Sequence, residues 1–366
     1  MLSLRPNIVG GHQMRTRIKY LIWKATGKNR LIRFAYILFR RYRLNLLSLN
    51  RDISTTIQAF RQLSSYQQSR KLKMNIISCM YQYGISPDEY FLFNFDSIDD
   101  KRRQSYLTTF NRLAYYAKLN DYRHDRVFTH KYETYQNYFR FYKRDVLLLA
   151  KGSLCFNDFE LFYRKNPKFI FKPVSGSCGQ GVRVFDSSDC ASAEEVYSWL
   201  RDREGLVEEL IVQDERLARF HPNSVNTVRM PQLITRDGEV LIFSPVLRVG
   251  QKNAVVDNAG AGGIFANIDP TTGVVYTDGF DYFGNRYDKH PMTGVVFRGF
   301  KIPRWEEAVS LVKELALLRP TVRYIGWDLA LTPKGWVVVE ANNGGEFKVL
   351  QIADNRGLRY RLDELI

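Results

Sequence analysis

The sequence predicts an α+β fold that follows a helical, basic amino-terminal region. Two observations carry this. Up to residue 119 apolar residues recur at helical spacing and no strand alternation is evident. Beyond residue 120, short alternating runs come in pairs joined by glycine-containing turns. The 366 residues, 45% hydrophobic and 14% aromatic, suffice for two or three domains around a large core, which excludes a disordered chain.

The net charge of +16 selects acidic partners: nucleic acid, anionic membrane, a nucleotide or an acidic polysaccharide. Residues 1–50 contain no Asp or Glu, yet hold Arg15, Arg17, Lys24, Lys28, Arg30, Arg33, Arg40, Arg41 and Arg43 among other cations. Ile18, Leu21, Ile22, Trp23, Leu31, Phe34, Ala35, Leu38 and Phe39 alternate with them at spacings of three and four, a basic amphipathic helix pattern. Two readings stand: an anchor on anionic lipid, or an ordinary helix packed on the main domain with a solvated basic face. No run approaches the roughly 20 apolar residues of a membrane span. Cys79, Cys155, Cys178 and Cys190 have no metal-ligand spacing, and no secretory leader is evident, so reduced thiols and a cytoplasmic location are expected.

The elements follow in order. A helical stretch is expected over 55–80, with Ile57, Phe60, Leu63 and Leu72 on one side, and another over 97–119. Breaks are expected at Ser86-Pro87-Asp88 and Asn94-Phe-Asp96. Lys131 opens an amphipathic helix, where a cation opposes the helix dipole unless an anion lies nearby. The runs 168–171 and 182–185 read as strands, so Gly176, Gly179 and Gly181 sit in a strand-to-strand loop. That excludes the P-loop and the dinucleotide fingerprint, both of which run from a strand into a helix. The loop is either a flexible hairpin or, with Lys172 leading in, a backbone cradle for phosphates. Ser192 with Glu195 reads as a capping box opening a helix to residue 201. In the strand that follows, Glu208 and Glu209 are adjacent and point to opposite faces, so at least one carboxylate faces inward. Val225 to Arg248 reads as a hairpin turned at Asp237-Gly238. A second glycine-rich segment holds Asn258, Gly262 and Gly263, a long loop holds His290, and a helix is expected from about Pro303 to Leu318.

The last hairpin is the most informative. A three-residue loop, Pro333-Lys334-Gly335, pairs Thr332 with Trp336 and so places Asp328 opposite Glu340. The two-residue strand period adds Asn342 to that face. Two facing carboxylates repel unless a cation lies between them, and this hard oxygen set suits Mg2+.

With these residues in this order, the chain resembles the ATP-grasp superfamily over about residues 120–355. It is most similar to the sugar-transfer-associated branch, and more distantly to glutamate ligases and D-alanine–D-alanine ligase. The resemblance implies two α+β subdomains gripping ATP between antiparallel sheets, at 120–210 and 211–366, behind a helical region at 1–119. It implies that Lys131 and Lys172 contact the nucleotide phosphates. Gly176, Ser177, Gly179 and Gly181 match the mobile lid, and Glu208, Glu209, Leu210 and Ile211 match the hinge that meets adenine and ribose. Arg229 and Arg248, with Lys172, match the catalytic cations; Asp328, Glu340 and Asn342 match the Mg2+ ligands. Asn258, Gly262 and Gly263 match the acceptor side, and His290 is a further candidate there. Cys178 stands where many relatives carry glycine. Relatives usually place a Rossmann-like domain before the grasp, and here that region reads as helical and basic.

The expected activity is ATP-dependent joining of a carboxylate and an amine through an acyl phosphate, with a sugar acid as carboxylate in cell-surface polysaccharide biosynthesis. Expected partners are small-molecule or glycan substrates and, through residues 1–50, an anionic membrane surface; nucleic acid is disfavoured. A kinase acting on a sugar or polyol hydroxyl is the nearest alternative, weakened because no general base is evident. A non-catalytic basic binding protein for membrane or nucleic acid is the third, weakened by the intact cation and acid set.

Overall fold

The structure, a computed structural model, describes residues 6–60, 69–150, 152–174, 180–189, 192–251, 262–345 and 347–366, with the backbone alone for 6–12. Seven helices lead the described chain: α1 (Pro6–Lys28), α2 (Arg30–Tyr42), α3 (Leu46–Phe60), α4 (Arg70–Tyr83), α5 (Pro87–Leu92), α6 (Asp100–Gln104) and α7 (Arg112–Leu119). The stretch expected to be helical over 55–80 comprises the end of α3 and most of α4, on either side of residues 61–68, which lie outside the described ones. The helix expected over 97–119 is divided. Thr108 donates its hydroxyl to the Tyr83 and Gly84 carbonyls at 2.8 and 2.9 Å, tying the chain to the end of α4 instead of continuing the helix. At Ser86 the break is a helix start, where a capping box with Glu89 opens α5.

Next come α8 (Asp125–Thr129), α9 (Lys131–Tyr138), β1 (Val146–Leu149), α10 (Phe156–Lys165), β2 (Lys168–Pro173), β3 (Arg183–Asp186), α11 (Ala193–Leu200) and β4 (Gly205–Glu209). The helix after Ser192 forms, but Ser192 makes no side-chain cap bond. The four strands make an antiparallel sheet in the order β1-β4-β2-β3. Phe159, Phe162, Phe169, Phe185 and Leu200 fill the space between this sheet and α10 and α11.

The chain then adds α12 (Glu215–Ala218), β5 (Thr227–Ile234), β6 (Val240–Ile242), β7 (Val246–Val249), β8 (Ile264–Asn267), β9 (Gly279–Phe280) and β10 (Arg286–Tyr287). It closes with α13 (Trp305–Leu317), β11 (Tyr324–Thr332), β12 (Gly335–Asn342), α14 (Phe347–Ile352) and α15 (Arg359–Leu365). The second sheet runs β10-β9-β8-β7-β5-β11-β12, with β6 beside β5. The hairpin expected at Asp237-Gly238 is β5–β6, and Gly238 takes the positive φ of 86° that its turn demands. One face of this sheet packs on α13 around Trp305, Trp327, Leu329 and Trp336.

The helical region shares a core with the end of the chain. Ile37, Ile53, Ile57, Met80 and Leu107 pack in one cluster with Phe347, Leu350 and Leu362. Buried Gln351 accepts from the Leu107 and Leu358 amides and donates to the Leu107 carbonyl, all at 2.9–3.0 Å. Cutting between residues 119 and 120 would therefore expose apolar surface on both sides, so helices and sheet are coupled energetically.

Candidate active site

The outcome at β11–β12 depends on two departures from regular pairing. The turn is one residue tighter than the loop length suggests: Thr332 pairs with Gly335, and Leu331 with Trp336. Continued regularly, that register would set Asp328 opposite Val339. A bulge between Asp328 and Leu329 instead restores Asp328 opposite Glu340, as the loop count expected by a different route. Asn342 lies on the same face, its Nδ2 3.3 Å from Asp328 Oδ2.

Neighbouring strands add cations to this face. Arg229 on β5 is the cross-strand partner of Asp328, and Arg248 on β7 is opposite Thr227, two residues from Arg229. Arg229 Nε donates to Asp328 Oδ1, its Nη2 meets Oδ2 at 2.9 Å, and Arg248 Nη1 meets Oδ2 at 3.0 Å. Burial pushes the Asp328 carboxyl upward; the two guanidiniums outweigh it and hold the group below the ordinary carboxylate range. Lys131, at the first position of α9, places Nζ 3.5 Å from Glu340 Oε1. The repulsion expected between Asp328 and Glu340 is thus already met by the protein's own cations.

The other wall comes from the four-stranded sheet. The Lys131 amide donates to Val174 O at 3.4 Å, so α9 begins beside the end of β2. Lys172 Nζ meets Glu208 Oε2 at 2.9 Å. Glu208 is the inward acid of its pair: it is 1% exposed, while Glu209 is partly exposed and accepts the Asp145 amide. Arg144, which the sequence reading passed over, donates to Glu208 Oε2 at 2.9 and 2.6 Å and to Val338 O at 2.7 Å. It therefore bridges β4 of one sheet to β12 of the other, two residues from Glu340. Burial pushes the Glu208 carboxyl upward, and Arg144 and Lys172 outweigh it, leaving it below the ordinary glutamate range. Leu210 and Ile211 continue from β4 into the connection between the sheets. No local pattern marks Arg144; its role needs both sheets.

Several expected residues fall elsewhere. Gly176, Ser177, Cys178, Gly179 and Asn258 lie outside the described residues. Gly181 has a φ of 72°, and a Cβ there would sit 2.8 Å from Pro173 Cγ, so Gly181 itself lies tightly against the end of β2. Gly262 and Gly263 lead into β8, and Gly262 lines a cavity of about 280 Å3 with Thr55, Asp88 and Tyr282. His290 is corrected: it is fully buried, with Nε2 2.9 Å from Gly250 O and Nδ1 3.2 Å from Thr293 Oγ1. Both ring nitrogens are engaged in holding the loop, so it does not line an acceptor pocket.

A family model described as sugar-transfer associated ATP-grasp matches residues 110–365. The chain belongs to that family. It has the ATP-grasp fold, α+β, with antiparallel sheets on either side of the cation-rich cleft. A search of curated protein sequences finds no match. Among solved structures, the ATP-grasp ligase PsnB complexed with minimal precursor, Mg and ADP is 15% identical, with a TM-score of 0.39 over 70% of this chain and 66% of that one. PsnB with a phosphomimetic precursor variant is 14% identical, with a TM-score of 0.41 over 77% and 73%. D-alanyl-alanine synthetase A from Vibrio cholerae is 10% identical, with a TM-score of 0.36 over 63% and 65%. The chain spans just under two thirds of the first and third of these.

The residues present fit a hard divalent cation. Two carboxylates and a carboxamide share one face, and Glu340 is the more open carboxylate, its side chain 40% exposed.

Proposed function

We propose that this ATP-grasp protein is an ATP-dependent carboxylate–amine ligase. In this reading it forms an amide through an acyl phosphate, joining an amino acid or amine to a sugar acid in cell-surface polysaccharide biosynthesis. The supporting observation is the convergence, between two antiparallel sheets, of Lys131, Arg229 and Arg248 on Asp328 and Glu340, with Lys172 on the facing sheet. Phosphoryl transfer to a carboxylate requires alignment and charge neutralisation and no protein nucleophile, which is what such an array offers.

Lys131 and Lys172 take up triphosphate charge. Arg229 and Arg248, held in place by Asp328, orient the transferring group and the acyl phosphate. Asp328, Glu340 and Asn342 would hold Mg2+, which would supply charge neutralisation for phosphoryl transfer. The glycine segment after β2 excludes water from the acyl phosphate.

The deciding experiment incubates the protein and Glu340→Gln with Mg-ATP and panels of sugar acids and amines, scored by mass spectrometry. ADP, phosphate and a new amide with the parent, lost in the variant, are expected. A phosphorylated product stable to hydroxylamine would instead establish a kinase.

The same reading includes peripheral contact with an anionic membrane at its cytoplasmic face. The support is that α1 packs inward through Thr16, Tyr20 and Thr26, while Met14, Ile18, Leu21, Leu31, Phe39 and Leu47 face outward among cations. The apolar stripe thus points away from the body of the protein. No helix among the described residues is long and apolar enough to cross a membrane. Flotation with anionic liposomes should lose the protein when Leu21, Leu31 and Phe39 are changed to Ser; unchanged flotation would reject the contact.

A further inference from the structure

A cavity of about 680 Å3 opens in the helical region, away from the cleft just described. Lys24, Lys28 and Arg30 reach it from the α1–α2 corner, Lys118 from α7 and Arg359 from α15; the one carboxylate in its lining is Asp363. That carboxylate is already engaged, accepting from Tyr115 Oη at 2.7 Å and lying 3.7 Å from Arg359 Nε. Among the described residues, Lys24, Lys28, Arg30 and Lys118 make no ion pair. Gly27 admits α1 closely: a Cβ there would sit 2.5 Å from that of Ala114, so the α1 and α7 cations are brought together by backbone packing.

Arg33 makes the arrangement unusual. It is 8% exposed, lines the same cavity, and its Nε has no hydrogen-bond partner, although Nη2 reaches the Tyr81 and Gln82 carbonyls at 3.3 and 2.8 Å. Burial, then Arg30 and Arg359, push its pKa down, and among the described residues no carboxylate pairs with the guanidinium. Converging cations with so few acids are self-repelling in a partly desolvated space, and a multivalent anion relieves that repulsion.

We propose that this cavity binds a phosphate-bearing anion. Its size falls in the range of small-molecule sites and exceeds what inorganic phosphate fills, so the ligand carries a further body beyond its phosphate. Two sources share this chemistry, a soluble phosphorylated metabolite and a lipid headgroup. The second is favoured by position, since Leu21 and Leu31, both exposed, flank Lys24, Lys28 and Arg30 in the chain. The site is independent of the ligase reading.

The test compares the full chain with Lys24→Ser/Lys28→Ser/Lys118→Ser, three exposed positions whose change leaves the core intact. Lys172→Met controls for pyrophosphate binding in the cleft. Inorganic pyrophosphate, titrated by calorimetry, should bind the parent and the Lys172→Met protein, and bind the triple variant more weakly by about tenfold or more in all. Equal affinity in the triple variant overturns the proposal. Phosphatidylglycerol vesicles then separate the sources. Flotation lost in the triple variant and competed by pyrophosphate identifies a lipid headgroup; flotation unaffected by either assigns the cavity to a soluble ligand.

Discussion

Replacing Glu208 with Gln tests the connection between the two sheets. The Glu208 carboxylate takes two bonds from Arg144, at 2.9 and 2.6 Å, and one from Lys172 at 2.9 Å. The side chains of Glu208, Arg144 and Lys172 are 1%, 4% and 15% exposed, so solvent screens little of this. Glu208→Gln keeps the shape and removes the charge, leaving two buried cations facing one another. Breaking a buried ion pair from one side costs about 3–5 kcal/mol. At roughly 1.3 °C per kcal/mol for 366 residues, Tm should fall by about 4–6 °C. Scanning calorimetry on both proteins reads the shift. Adding Lys172→Met removes one orphaned cation, so the double variant should be more stable than the sum of the singles by about 0.5–3 kcal/mol. The pH dependence gives a second readout. The native pKa is depressed, so this stabilisation is complete above the ordinary glutamate value of about 4.3 and is lost as pH falls through the lower native value. Glu208→Gln should therefore lose part of the parent's acid sensitivity in that window. A Tm within about 1 °C of the parent, with no coupling, would refute the argument that the ion triad joins the sheets.

A Cβ at Gly326 would sit 3.0 Å from Gly345 Cα and 3.1 Å from Arg229 Cδ, so Gly326→Ala should cost about 1–3 kcal/mol and lower ATP turnover by displacing Arg229; stability and turnover together at parental levels would contradict it. Arg229→Lys keeps the charge but loses the paired bonds to Asp328, and should reduce turnover about tenfold or more without altering Tm by more than a few degrees, as a coupled ADP-release assay can establish. Burial pushes the His290 imidazole below its ordinary value, with His221 adding to this and the Gly250 bond opposing it. The unfolded chain then takes up a proton that the folded one refuses as pH drops below about 6.5, so stability falls there; His290→Gln should flatten the fall of Tm below about pH 6.5, and an unchanged slope would exclude His290 as its source.

Much of the site was legible in the sequence because its parts sit in regular strands. The two-residue period alone puts Glu208 and Glu209 on opposite faces and sets Asn342 beside Glu340. Lys131 at a helix start and Lys172 at a strand end are likewise local facts. Helix breaks were less legible, since Thr108 interrupts the helix through the carbonyls of Tyr83, the last residue of α4, and of Gly84 after it, 25 and 24 residues earlier. His290 was misplaced because composition cannot tell a loop histidine that faces a ligand from one that bonds Gly250 and Thr293 in the core.

What the sequence determined by itself was the alternation of each strand, the helical start of the chain, and the inventory of cations and acids that chemistry on phosphates needs. Tertiary structure decided which of them meet. The bulge after Asp328 resets the β11–β12 register, and packing of β5 and β7 beside it delivers Arg229 and Arg248 to the same carboxylate. Arg144 gains its role only when two sheets face each other, and the apolar stripe of α1 turned outward because Thr16, Tyr20 and Thr26 took the inner side. The physical reason is common to all of these. Periodicity fixes the direction of a side chain relative to its own element, whereas burial and ion pairing depend on which element packs against it.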